Sequence, residues 1–172
     1  MNLKHTLIAS SLALLACLPV AAFAQDASAA ADMPMEITLR LDPTAPNPAP
    51  PHPELAGALQ DFGGKAGITA IVETFMGNMM VDPRTQPFFE NVDRERVKHE
   101  LSEQFCVILG GDCVYTGRDM RTAHAGLEID RNNFNALVED LQKAMDTHKV
   151  PFRSQNKLLA ILAPMHREVV TH

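Results

Sequence analysis

Tyr115-Thr116-Gly117-Arg118-Asp119-Met120-Arg121-Thr122-Ala123-His124-Ala125-Gly126-Leu127 is the stretch that decides how this chain is read. It predicts a short helical segment whose Met120, His124 and Leu127 share one apolar face. Thirty-five residues before His124 stands the pair Phe88-Phe89, just after a helix ended by Asp82-Pro83. An imidazole on an apolar face opposite aromatic rings suits two roles. It is a satisfied core histidine, or it is the single nitrogen ligand of a haem iron in a greasy slot.

The neighbouring patterns are helical. Ile68, Ile71, Val72, Phe75, Met76, Met79 and Met80 follow the spacing of one helix face after Gly63-Gly64. Asp93 caps a second helix with Val97, Leu101, Phe105 and Ile108 in a stripe, and Gly110-Gly111 stops it. Asp130 caps a long helix with Phe134, Leu137, Val138, Leu141 and Met145 inward. Pro151 opens the last region, with Leu158, Ile161, Leu162, Met165 and Val169 inward and a kink at Pro164. No run after residue 54 reads as a convincing strand, so the fold class is all-α, over residues 55–172.

The N-terminal third reads differently. Residues 1–24 form a signal peptide: a basic start at Lys4, an apolar run from Thr6 to Ala16, and small residues at Ala22-Phe23-Ala24 before Gln25. The mature chain is expected in a bacterial periplasm. Leu14-Leu15-Ala16-Cys17 also resembles a lipoprotein box, which would anchor the chain through Cys17; otherwise no membrane is expected. Residues 25–54 read as a disordered Pro/Ala-rich tether, with prolines at 43, 46, 48, 50, 51 and 53. Met35, Ile37, Leu39 and Leu41 alternate with polar residues, as an isolated extended stretch or one docking on a neighbour's sheet edge.

Composition narrows the classes further. Loss of Lys4 with the leader takes 15 basic side chains to 14 against 21 acidic ones, a poor balance for binding nucleic acid. Cys106 and Cys113 remain and can close a disulfide in an oxidising compartment; two buried thiols are the alternative. No phosphate loop, His-Glu-x-x-His or nucleophile elbow is present, and no Cys-x-x-Cys-His, which excludes a c-type haem attachment. No catalytic residue is assigned.

Phe62-Gly63-Gly64, Asp82-Pro83 followed by Pro87-Phe88-Phe89, Leu109-Gly110-Gly111, Tyr115 to Met120, and His124-Ala125-Gly126-Leu127 together resemble a group 1 truncated haemoglobin. The resemblance runs from about Leu59 to Val170 and keeps the spacing from the paired phenylalanines to the histidine. It implies a two-over-two helical sandwich around haem b, with His124 as the proximal iron ligand and Phe89 flat against the porphyrin. The second imidazole nitrogen is expected to donate to a nearby backbone carbonyl. Met120 lies on the same face, and Lys98 and Arg121 are candidate cations for haem propionates by charge pairing alone, a solvated face being the alternative for Lys98.

The departures fall on the distal side. Met76 stands where the family usually has tyrosine, and Leu101 where members often have glutamine; Val97 is apolar too. The expected distal wall of Phe75, Met76, Phe89, Val97, Leu101 and Phe105 offers no hydrogen-bond donor. A hydrogen bond to a charged acceptor is worth roughly 1.5–3 kcal/mol, so dioxygen should be held about 10- to 150-fold more weakly than with a donor. Carbon monoxide and nitric oxide are favoured relative to it, and nitric oxide dioxygenation is doubtful. Glu100 occupies the position at which some relatives place a sixth iron ligand; His99 beside it reads as solvated.

Ala163-Pro164-Met165-His166 resembles the local pattern with which certain relatives bond a histidine covalently to a haem vinyl group; an ordinary, partly exposed histidine is the alternative. Three functions follow: a reversible binder of diatomic gases, a periplasmic redox haem protein with an electron partner or weak peroxidase activity, and a helical module that has lost its haem. Ferric spectra that ignore cyanide would favour the second; rapid carbon monoxide binding would favour the first.

Overall fold

The computed structural model describes residues 44–172. The leader, the lipoprotein box at Cys17 and the alternating stretch 35–41 lie outside the described residues. Seven helices follow in order: α1 Ala56–Asp61, α2 Gly64–Val81, α3 Arg94–Ile108, α4 Met120–His124, α5 Arg131–Thr147, α6 Phe152–Leu162 and α7 His166–Val169. Among the described residues there is no strand and no helix long and apolar enough to cross a membrane.

The boundaries follow local chemistry. Gly63 and Gly64 enter α2 at φ +78° and +67°, a turn that a side chain would strain. Asp93 caps α3 by accepting the Arg96 N–H at 3.1 Å. Asp130 and Asn133 close a reciprocal capping box on α5 at 2.8 and 3.0 Å. Pro164 does more than kink the last helix. The chain leaves α6 at Leu162, passes through a 3-10 turn over Ala163–Met165, and resumes as α7.

Packing forms two crossed pairs. α2 lies against α3 and α5, and α6 lies against α3 and α5 in turn. The core between them holds Ile68, Ile71, Val72, Phe75 and Met79 from α2 with Phe105, Ile108, Leu141, Met145 and Leu158. Burying each such side chain contributes about 1.5–3 kcal/mol. Other members of the expected stripes (Val97, Leu101, Phe134, Leu137, Val138, Leu162 and Met165) are only half-buried, because they face a cavity rather than another helix.

Two cross-links fix the ends. Cys106 and Cys113 are disulfide-bonded, with Cα atoms 6.0 Å apart, tying the end of α3 to the loop that leads to α4. Arg84 holds Asp82 at 2.6 Å and Glu139 at 2.7 Å, joining the turn after α2 to α5. The tether boundary at residue 54 needs correction. Ala49 is 4% exposed, and the Pro48 carbonyl accepts a hydrogen bond from Gln104 at 2.6 Å, so packing begins before α1.

Ser154, fully buried at the start of α6, donates its hydroxyl to the Asp61 carboxylate at the end of α1. Hydrogen bonds to charged groups are worth about 1.5–3 kcal/mol. Ser154→Ala is therefore expected to lower unfolding free energy by about that amount in urea titration; a loss under about 0.5 kcal/mol would contradict this role.

Candidate haem site

The site is built around α4, a helix of five residues. Asp119 starts it by accepting the Thr122 N–H at 2.9 Å, and that backbone bond, with others from the same turn, holds its carboxyl below the usual range. Gly126, at φ +76°, turns the chain away just beyond it. His124 is thus placed one turn from Met120. Its Nδ1 donates to the Met120 carbonyl at 2.7 Å. A carbonyl can only accept, so Nδ1 carries the proton and Nε2 keeps its lone pair. Burial pushes the His124 pKa down, the Met120 bond opposes this, and the Arg118 charge lowers it further. The outcome is a neutral imidazole, the form that ligates metal.

His124 lines a cavity of about 420 Å³ together with residues of α2, α3, α5, α6 and the Phe88-Phe89 turn. That size lies within the roughly 300–1,000 Å³ of small-molecule sites. Its walls are mainly apolar: Phe75 and Met79 from α2, Val97, Leu101 and Phe105 from α3, and Leu137 and Leu141 from α5. Among the described residues no three His, Cys, Asp or Glu side chains group as a bare metal ion would need. A metal here has to bring most of its own ligands, and a flat, greasy cofactor with one open axial position fits that donor set.

The structure sorts the residues expected at the site. His124, Phe89, Val97, Leu101, Phe105 and Met120 line the cavity. Met76, Lys98, Arg121 and His166 do not. Met76 is about 100° round the helix from Phe75 and is buried in the core instead. Lys98 is bound by Glu73 at 2.6 Å and Glu95 at 2.8 Å. Arg121 points to solvent from the exposed side of α4. His166 lies outside the wall with its ring 6.1 Å from that of Phe134, and its Nδ1 donates to the Ala163 carbonyl at 3.1 Å. His99 is exposed and pairs with Glu103 at 3.0 Å, as its solvated reading expected.

Other wall residues escaped the sequence reading. Arg96 and Arg118 supply the cations at the cavity in place of Lys98 and Arg121. Four polar side chains also reach the wall, but each spends a donor on backbone. Thr85 donates to Met79 O at 2.9 Å, Gln104 to Pro48 O at 2.6 Å, Tyr115 to Arg118 O at 2.8 Å and Asn133 to Arg84 O at 3.0 Å. The Tyr115 phenol is pushed up to about 12 by burial and stays protonated. Arg118 sits inside the opening motif, and Gln104 follows Val97 and Leu101 at helical spacing, so both carried a signal.

The family model for bacterial-like globins matches residues 58–171. The chain is a group 1 truncated globin. A group 1 truncated hemoglobin of Chlamydomonas moewusii is 30% identical over 132 residues, covering 74% of this chain and 75% of that protein. Its counterpart from Mycolicibacterium paratuberculosis is 29% identical over 118 residues, 69% of this chain and 87% of the other. Among solved structures, Tetrahymena pyriformis truncated hemoglobin in the Fe(III) form matches with TM-score 0.63 at 23% identity, over 66% of this chain and 97% of that one. A Synechococcus 2/2 hemoglobin, in the cyanomet state and with covalently attached heme, gives 0.62 at 24% identity, over 67% and 98%. These two likenesses concern the fold. The truncated globin is a haem globin by family.

The folded His124 pKa lies below its unfolded value, so the unfolded chain binds more protons in the interval between them. The stability this group contributes is full above the ordinary histidine range and is lost as pH falls through it. Haem-free protein is expected to lose stability between about pH 7 and pH 5, and His124→Leu to lose less. Parallel curves for the two proteins would contradict it.

Proposed function

We propose that this truncated globin holds haem b through His124 Nε2 and binds diatomic gases reversibly, in a cavity whose wall is mainly apolar. The observation that carries this is the His124 Nδ1–H bond to Met120 O at 2.7 Å, which leaves Nε2 as a lone-pair donor beside the cavity. The haem supplies an iron that takes dioxygen, nitric oxide or carbon monoxide. This chain's residues supply the single ligand, exclude water, and offer Arg96 and Arg118 to the propionates. The link is read as non-covalent, since His166 stands outside the wall beside Phe134.

Polarity sets the ligand preference. Phe75, Val97, Leu101 and Phe105 carry no donor; the Thr85 and Tyr115 hydroxyls and one N–H each of Gln104 and Asn133 go to backbone carbonyls, and the Arg96 guanidinium bonds Glu100 at 2.8 Å. Dioxygen, which gains negative charge on binding, therefore lacks a partner on the side of those four residues that would slow its release. Export to a periplasm is part of the same proposal: the leader pattern supports it, and the Cys106–Cys113 disulfide suits an oxidising compartment.

Haem-supplied protein is expected to show a Soret band that binds carbon monoxide when reduced, and His124→Ala to lose that band. An unchanged band in His124→Ala would overturn the assignment. A ferric spectrum indifferent to cyanide would favour the redox reading instead. Acidified organic solvent is expected to extract all the haem, from wild type and His166→Ala alike; haem left on the wild-type polypeptide would restore the vinyl link. Periplasmic fractions should hold a chain beginning at Gln25, whereas a lipidated Cys17 would establish the anchored form.

A further inference from the structure

The chain ahead of α1 is seated against α3 at two places. Gln104, 4% exposed on the inner side of α3, gives its amide Nε2–H to the Pro48 carbonyl at 2.6 Å. Ala49 is equally buried, and its N–H is fixed by Asn47 Oδ1 at 2.9 Å. Farther along, Gly110 adopts φ +74°, and a Cβ there would lie 2.8 Å from His52 O and 3.1 Å from Pro53 Cα. The segment from Pro48 to Pro53 therefore forms a strap along the end of α3. It precedes the family match, which starts at residue 58.

The strap reaches the cofactor site through one side chain. Gln104 lines the cavity, and its Nε2 lies 4.0 Å from Met120 Sδ and 3.9 Å from Met165 Sδ, two further wall residues. Pro48 and Ala49 are not on that wall. Thioethers are weak acceptors, so the orientation of the Gln104 amide is set by the Pro48 carbonyl. Met120 in turn presents the carbonyl that orients His124.

The geometry points to Gln104 as a positioning residue that couples the N-terminal strap to the helix bearing His124, so that seating the strap slows haem loss. This rests on the reading of His124 as the iron ligand. With the strap lifted, a buried amide lacks its acceptor and turns toward the cavity or the Met120 carbonyl region to find another. The neighbour that fixes the Met120 side chain is then no longer fixed itself.

Three variants test it: Gln104→Met, which keeps length and volume but has no amide; Ala49→Glu, which unseats the strap away from the wall; and the double variant. In the haem-free proteins, hydrogen exchange of the residue-49 amide is expected to speed up about 3- to 10-fold in each single variant. Haem transfer to an excess of a haem-free acceptor globin should accelerate about 3- to 10-fold in each, and the double variant should be no faster than the faster single. The ferrous iron–histidine stretching band should shift in both, while Ser154→Ala, destabilising elsewhere, leaves it in place.

Haem transfer within about twofold of wild type, with an unmoved band, would overturn the coupling. So would fully multiplicative effects in the double variant, which would make strap and amide independent. Wild type that takes up no haem would sink the underlying ligand reading and this consequence together, a result distinct from both of those.

Discussion

A single hydrogen bond, from His124 Nδ1 to the carbonyl of Met120, organises the site on which the rest of this protein converges. It fixes the tautomer and the ring orientation at once. The neutral state comes from burial, against which the bond itself works, but burial would not say which nitrogen keeps its lone pair. The bond exists because α4 is short, is capped by Asp119 and ends beside Gly126, so His124 lies one turn from a carbonyl of the same helix.

The four larger helices serve this arrangement by leaving space. Residues at expected core positions divide into two groups. Ile108, Met145 and Leu158 close against other helices, whereas Val97, Leu101, Leu137 and Val138 stop at the cavity. The same apolar stripe thus makes core at one end of a helix and binding surface at the other. Hydrophobic burial does not distinguish the two uses, since either removes apolar area from water.

Polar groups at the wall show the opposite economy. Thr85, Gln104, Tyr115 and Asn133 bring hydrogen-bonding capacity into an apolar space, and each directs a donor to a backbone carbonyl. A buried donor left free costs about 1–3 kcal/mol, so these bonds are made within the fold. The result is a wall less apolar than its sequence stripe suggested, with both hydroxyl hydrogens and one N–H of each amide spent within the fold. The disulfide and the strap act on the same region, one fixing the loop before α4 and the other meeting α3 at Gln104 and Gly110.

The sequence by itself determined the helices, their caps and breaks, and the histidine in its motif, because periodicity, Asp caps and glycine turns are local properties. It also carried the family, through ordered motifs from Phe62 to Leu127. Only the tertiary structure decided which cations reach the cavity. Lys98 and Arg121 were plausible by position, but Glu73 and Glu95 hold the Lys98 ammonium and Arg121 projects from the exposed side of α4, so neither is on the wall that Arg96 and Arg118 line. Met76 went to the core and His166 beyond Phe134 for the same reason: about 100° per residue separates inward from lateral, and the packing partner sets which direction is inward. The proline-rich segment read as free chain because its composition offers little to bury; one amide and one close glycine on a distant helix held its end in place.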